Sequence, residues 1–131
     1  MNELLKNINL TESFIIDWKI SNNNFIIYLD FLLTEDHKDY SKFDSKHNFG
    51  CYRLGIFKFV NFSNLSGIEA VKFPPIWDDK LNEYKDIDDV NSVEFLNNFV
   101  KIQTDSKIIR LNFYDLTIEI LNEGEKFDIE I

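Results

Sequence analysis

The sequence predicts a mainly β fold (α+β): an antiparallel sheet curled into a sandwich or half-barrel, with one or two short helices. Three observations predict it. The dominant hydrophobic period is two, the signature of strands. Turn-forming residues punctuate the chain at hairpin spacing. The 131 residues are 44% hydrophobic and 15% aromatic, enough to build a core without covalent staples. No Pro- or Gly-rich linker and no internal repeat divides the chain, so residues 1–131 are expected to form a single domain.

The elements follow in order. Phe14, Ile16, Trp18 and Ile20 alternate with Asp17 and Lys19, which places the four apolar residues on one strand face. Asn22-Asn23-Asn24 is a turn. Phe25, Ile27, Leu29, Phe31 and Leu33 then share a face, completing an antiparallel hairpin. Residues 34–50 are polar and charged without a period, and read as a long excursion; such stretches are usually functional or mobile. From Tyr52 to Phe62 both faces carry apolar residues, so this strand is expected to be central and covered on both sides. Ser63 to Gly67 reads as a turn and Ile68 to Phe73 as a short strand, stopped by Pro74-Pro75.

A short helix is expected from about 78 to 85, where aspartates would complement the helix dipole. Residues 92–100 fit either helix or strand. Val100 to Thr104, a turn at Asp105-Ser106 and Lys107 to Tyr114 form a second hairpin. Leu116, Ile118 and Ile120 alternate again, and Phe127, Ile129 and Ile131 make a last strand. Charges at Asp17 and Lys19, or at Asp128 and Glu130, suit edge strands, because charge discourages edge-to-edge aggregation.

Composition narrows function. The formal charge is -9, from 23 acidic and 14 basic residues, and only Arg53 and Arg110 are arginines. Both facts argue against direct nucleic-acid binding. The start has no basic segment followed by an apolar run, and no stretch reaches the roughly 18 apolar residues of a membrane span. A cytoplasmic protein with no membrane association is the expectation, and Cys51 is then a reduced thiol. A lone cysteine excludes an internal disulfide framework.

The motifs of common enzymes are missing. The four glycines match neither GxGxxG nor a P-loop, and GxSxG, HExxH and CxxC do not occur. No catalytic residue, metal or cofactor is therefore assigned. His37, His47 and Cys51 are the alternative, as ligands or a nucleophilic pair in a small enzyme or ligand-binding barrel. That pocket requires the 34–50 loop to fold back on itself. Otherwise the loop is mobile beside a buried core cysteine. Asp86 to Asp89 lacks the glycine and glutamate of a calcium loop.

The most acidic stretch is 77–94, where seven carboxylate residues face only Lys80 and Lys85. It is either a solvated face or a docking surface for a basic protein. On the second reading the contacts are Trp77, Asp78, Asp79, Glu83, Tyr84, Asp86, Asp88 and Asp89, with Trp77 and Tyr84 as aromatic anchors. Tyr40 and Phe43 also lie near the charged loops. Trp77 could instead close the core beneath the two prolines.

Leu10-Thr11-Glu12-Ser13-Phe14-Ile15, followed by the hairpin into Asn24–Asp30, resembles the opening of small β-rich bacterial immunity-type proteins of polymorphic toxin systems. Thr11-Glu12-Ser13 stands where some of them carry His-Asp-Ser. Leu54 to Asn61 and Ile109 to Ile120 are similar in layout. The resemblance implies a non-enzymatic inhibitor, an immunity protein or antitoxin, that neutralises a cognate toxin by binding it. It brings no catalytic residues. A phage-encoded inhibitor that mimics nucleic acid through its charge is a further alternative.

Overall fold

The computed structural model describes residues 5–40, 51–68, 77–78, 80, 83–84, 87–122 and 125–127. Ten strands occur in it: β1 (Ile8–Ser21), β2 (Asn24–Leu33), β3 (Cys51–Val60), β4 (Ser63–Ser66), β5 (Trp77–Asp78), β6 (Glu83–Tyr84), β7 (Asp88–Leu96), β8 (Phe99–Thr104), β9 (Ile108–Asn112) and β10 (Asp115–Ile120). Eight form one open antiparallel sheet in the order β10-β3-β2-β1-β7-β8-β9-β4, and β5 pairs with β6 as a separate ribbon.

The hairpins form where local chemistry directs them. Asn22 and Asn23 have φ of 51° and 64°, the left-handed pair that a two-residue hairpin loop needs and asparagine tolerates. Strand β3 is central, flanked by β2 and β10. Gly55 lies where a side chain has no room: a Cβ there would stand 2.4 Å from the Phe31 ring and 2.7 Å from the Glu119 carbonyl oxygen.

The sheet must curl. Strands β9 and β10 are six positions apart in the sheet, about 29 Å if it were flat. Yet only Phe113 and Tyr114 connect them, and three residue steps span at most roughly 11 Å. The two halves therefore close over one face. Rings mark the closure: Phe59 of β3 lies 5.3 Å from Phe113, and Phe57 lies 6.4 Å from Phe95 of β7. The main core fills this concave face, with Phe25, Phe31, Phe57, Phe59, Ile109 and Leu111 at its centre. A second, smaller cluster covers the other face of β1–β3, built from Ile16, Ile26, Tyr28, Tyr84, Leu121 and Phe127.

Several expectations are corrected. Among the described residues there is no helix. Within 78–85, residues 78, 83 and 84 are strand, because Trp77 and Tyr84 pair across the ribbon at 4.9 Å and Tyr84 packs on Phe127. An isolated helix this short is marginal in water, so packing decides. Residues 92–96 and 99–100 are strand, separated by the turn Asn97-Asn98. Ser63–Ser66, expected as a turn, pairs with β9 as an edge strand.

Strand β1 is interior in the sheet order, between β2 and β7, but it pairs with β7 only at Phe14 and Ile15, so Asp17 and Lys19 have a described strand partner on the β2 side alone, and Asp17 is buried rather than exposed. Phe14, Ile16, Trp18 and Ile20 do not share one face. A bulge between Ile15 and Asp17 swaps the alternation, sending Ile15 and Trp18 to the main core and Ile16 to the second cluster, while Ile20, on the Trp18 side, is exposed near the strand's end. The expected strand at 68–73, the prolines, most of the 34–50 excursion and most of the last strand lie outside the described residues.

Candidate functional site

The acidic segment is fastened to the second cluster. Tyr84 is buried, and its hydroxyl accepts the Phe127 N–H at 3.0 Å. Burial pushes its phenol pKa up, partly opposed by that hydrogen bond. Trp77 is half-buried, and Lys126 places its ammonium 4.0 Å from the centre of the indole ring. The register sets Asp78 opposite Glu83 on the ribbon. Asp79 and Asp86 lie outside the described residues.

Asp88 belongs to the fold's interior. It is 7% exposed, and its Oδ2 accepts hydrogen bonds from Thr104 at 2.7 Å and Ser106 at 2.6 Å. Burial raises its pKa, but these hydroxyls, the Asp89 N–H and the nearby Lys107 ammonium together hold it below the usual value. Of the sequence-named contacts, Tyr84 and Asp88 are thus engaged within the chain, while Asp89 is half-buried at the mouth of a cleft.

That cleft, of about 360 Å³, opens between β1 and β7. Its origin is two bulges at the same level. Strand β1 carries three extra residues between the pairs Asn9–Leu32 and Phe14–Asp30. Strand β7 carries one, Asn91, between Val90–Thr104 and Ser92–Gln103. The two strands pair only at Phe14–Asp89 and Ile15–Asp88 and then diverge. Glu12 sits on the β1 bulge with φ of 76°. Two hydroxyls pin this bulge: Tyr52 donates to the Glu12 carbonyl oxygen at 3.0 Å, and Ser13 donates to Asn9 O at 2.7 Å while accepting Leu32 N–H at 3.1 Å.

The wall is aromatic and the field is negative. The Phe14 and Tyr52 rings lie 5.3 Å apart, tilted by 30°. Burial, then the carboxylates of Asp30, Glu12 and Asp89, push the Tyr52 phenol pKa up to about 12. Sequence reasoning named Asp89 but missed Glu12, Phe14 and Tyr52 as a group. The one available signal was Thr11-Glu12-Ser13, a polar tripeptide in front of a strongly alternating strand.

The alternative pocket is not assembled among the described residues. Cys51 is buried in the main core, where Arg53 Nη1 approaches its Sγ at 3.4 Å and donates to Tyr52 O at 3.1 Å. His37 Nδ1 accepts the Asp39 N–H at 3.1 Å, which leaves the proton of the neutral ring on Nε2. His47 lies outside the described residues. No group of three His, Cys, Asp or Glu is placed to hold a metal among the described residues. No helix there is long and apolar enough to cross a membrane.

Fold and site together define a chain whose described residues are all-β, with an acidic flank and an acidic, aromatic-walled cleft. Comparison with family models, with curated proteins and with solved structures returned no match.

Proposed function

We propose that this chain is a non-enzymatic protein-binding inhibitor, an immunity protein or antitoxin that neutralises a cognate basic toxin domain in the cytoplasm. The observation that carries the reading is the acidic 77–94 segment, six carboxylate residues besides the buried Asp88 against two lysines, with Trp77 and Tyr84 anchored through the Trp77–Tyr84–Phe127 ring contacts. A concentration of negative charge steers a basic partner and selects it over others. Trp77, Asp78, Asp79, Glu83, Asp86 and Asp89 form the contact set. Tyr84 and Asp88 hold that set in place.

Co-purification with the product of the adjacent open reading frame tests the proposal. The expected result is a one-to-one complex that associates more slowly at high salt. Changing Asp78, Asp79, Glu83, Asp86 and Asp89 to their amides should slow association at low salt by about tenfold or more. Unchanged association at low salt would remove this segment as the docking surface.

A further inference from the structure

We propose that the β1–β7 cleft is a receptor for a single cationic side chain, an arginine presented by the partner protein. The proposal deepens the inhibitor reading and rests on it for the identity of the partner, but not for the chemistry of the site. Three features select a guanidinium. The first is concavity: about 360 Å³ is open between two strands held apart by their own bulges, room for one extended side chain. The second is charge. The exposed Glu12 and the half-buried Asp89 border the cleft, and the fields of both reach the Tyr52 phenol from the same side chains that a cation would meet.

The third feature is the aromatic wall. The half-buried Phe14 lines the cleft with the buried Tyr52 ring behind it, and a planar guanidinium gains from a ring face as well as from a carboxylate. Thr11 and Asn91 on the rim add neutral polar groups. The site is also pre-organised, since the Tyr52 and Ser13 hydroxyls fix the bulge that carries Glu12. Little ordering cost is left for the bound state, which favours affinity. A lysine ammonium can also sit over a ring, but only a planar guanidinium stacks flat on it while pairing with carboxylates through several N–H groups, so arginine is the preferred occupant.

The test needs no partner. N-acetyl-arginine amide, the lysine analogue and the neutral citrulline analogue are titrated into the full chain at physiological salt, and backbone amide shifts are followed by NMR. Saturable shifts centred on Glu12, Phe14, Asp89 and Asn91 are expected, largest for arginine and missing for citrulline. Glu12→Gln should weaken arginine binding by about tenfold. Glu12 is exposed, so this variant keeps the fold, and its unchanged spectrum elsewhere verifies that. Equal shifts with citrulline, shifts that never saturate, or binding that survives Glu12→Gln would each overturn the proposal. Arginine binding without any toxin complex would sink the inhibitor reading alone. A toxin complex formed by a chain that ignores arginine would sink the cleft alone.

Discussion

Two buried aspartates, Asp17 on β1 and Asp88 on β7, are both 7% exposed, yet burial leads to opposite outcomes. Asp88 sits at the β8–β9 turn and accepts hydrogen bonds from Thr104, Ser106 and the Asp89 N–H, at 2.7, 2.6 and 2.9 Å. Lys107 adds a positive charge, and the carboxyl stays below its ordinary pKa. Asp17 sits at the β1 bulge on the side of Tyr28, its register partner. Burial raises its pKa, opposed among the described residues by the Trp18 backbone N–H, which it accepts at 2.8 Å. At equal depth, the donors around a buried carboxylate decide whether it holds a fold together.

The largest effect is expected at Asp88. Asp88→Ala leaves the Thr104 and Ser106 hydroxyls without their acceptor and loosens the turn that Thr104 closes through Lys107 N–H at 3.0 Å. Loss of a charged acceptor shared by several donors should cost about 2–4 kcal/mol, read by denaturant unfolding at neutral pH. Asp17→Ala should cost far less. Equal losses at the two sites would show that depth of burial, not the donors, sets the cost.

The pH dependence sharpens it with opposite signs. Asp88 is depressed in the folded state, so its contribution is present above the ordinary carboxylate pKa of 3.8 and is lost as pH falls through the lower folded value. Asp17 is raised, so its contribution is full below 3.8 and is lost as pH rises through the higher folded value. Asp17→Asn keeps a carbonyl oxygen for Trp18 N–H and removes the buried charge. It should gain on the order of 1 kcal/mol at pH 7 and nothing near pH 3. Unfolding curves at the two pH values check this, and a loss of stability at pH 7 would reverse the assignment.

The same two sites show what a sequence can disclose. The alternation of Phe25 to Leu33, the Asn22-Asn23 turn and the Asp105-Ser106 turn were legible because strand period and turn chemistry are local. Phe14 and Ile16 do not share the Trp18 face because one inserted residue at the Ile15–Asp17 bulge reverses the faces across it, and no residue type marks that insertion. The sequence places Asp88 in an acidic run, as a docking contact or part of a solvated face, and hides its buried role because its hydroxyl donors lie 16 and 18 residues away. The ribbon at 77–84 was read as a helix from its charges, while Phe127, which fastens it, lies 43 residues beyond Tyr84. The cleft follows the same rule. Glu12 and Tyr52 are 40 residues apart and meet only through a bulge. The acidity of the flank was legible from composition, but its partner was not.

The smallest effect tests whether the two aspartate regions communicate. Lys107 extends its ammonium over the Trp18 ring at 4.7 Å, and Trp18 donates its N–H to Asp17, while the same ammonium helps to depress Asp88. Lys107→Met keeps much of the apolar stem and removes the charge. It should cost about 0.5–1 kcal/mol. Measured in an Asp88→Asn background, the cost should shrink, because part of the lysine's value is its attraction to that carboxylate. The Asp17→Asn background should leave the cost nearly unchanged, because Lys107 meets the indole ring rather than the Asp17 carboxyl. A double-mutant cycle separates the two couplings. A larger coupling to Asp17 than to Asp88 would show that Trp18 carries charge information between the two sites, and that the aspartates are one region rather than two.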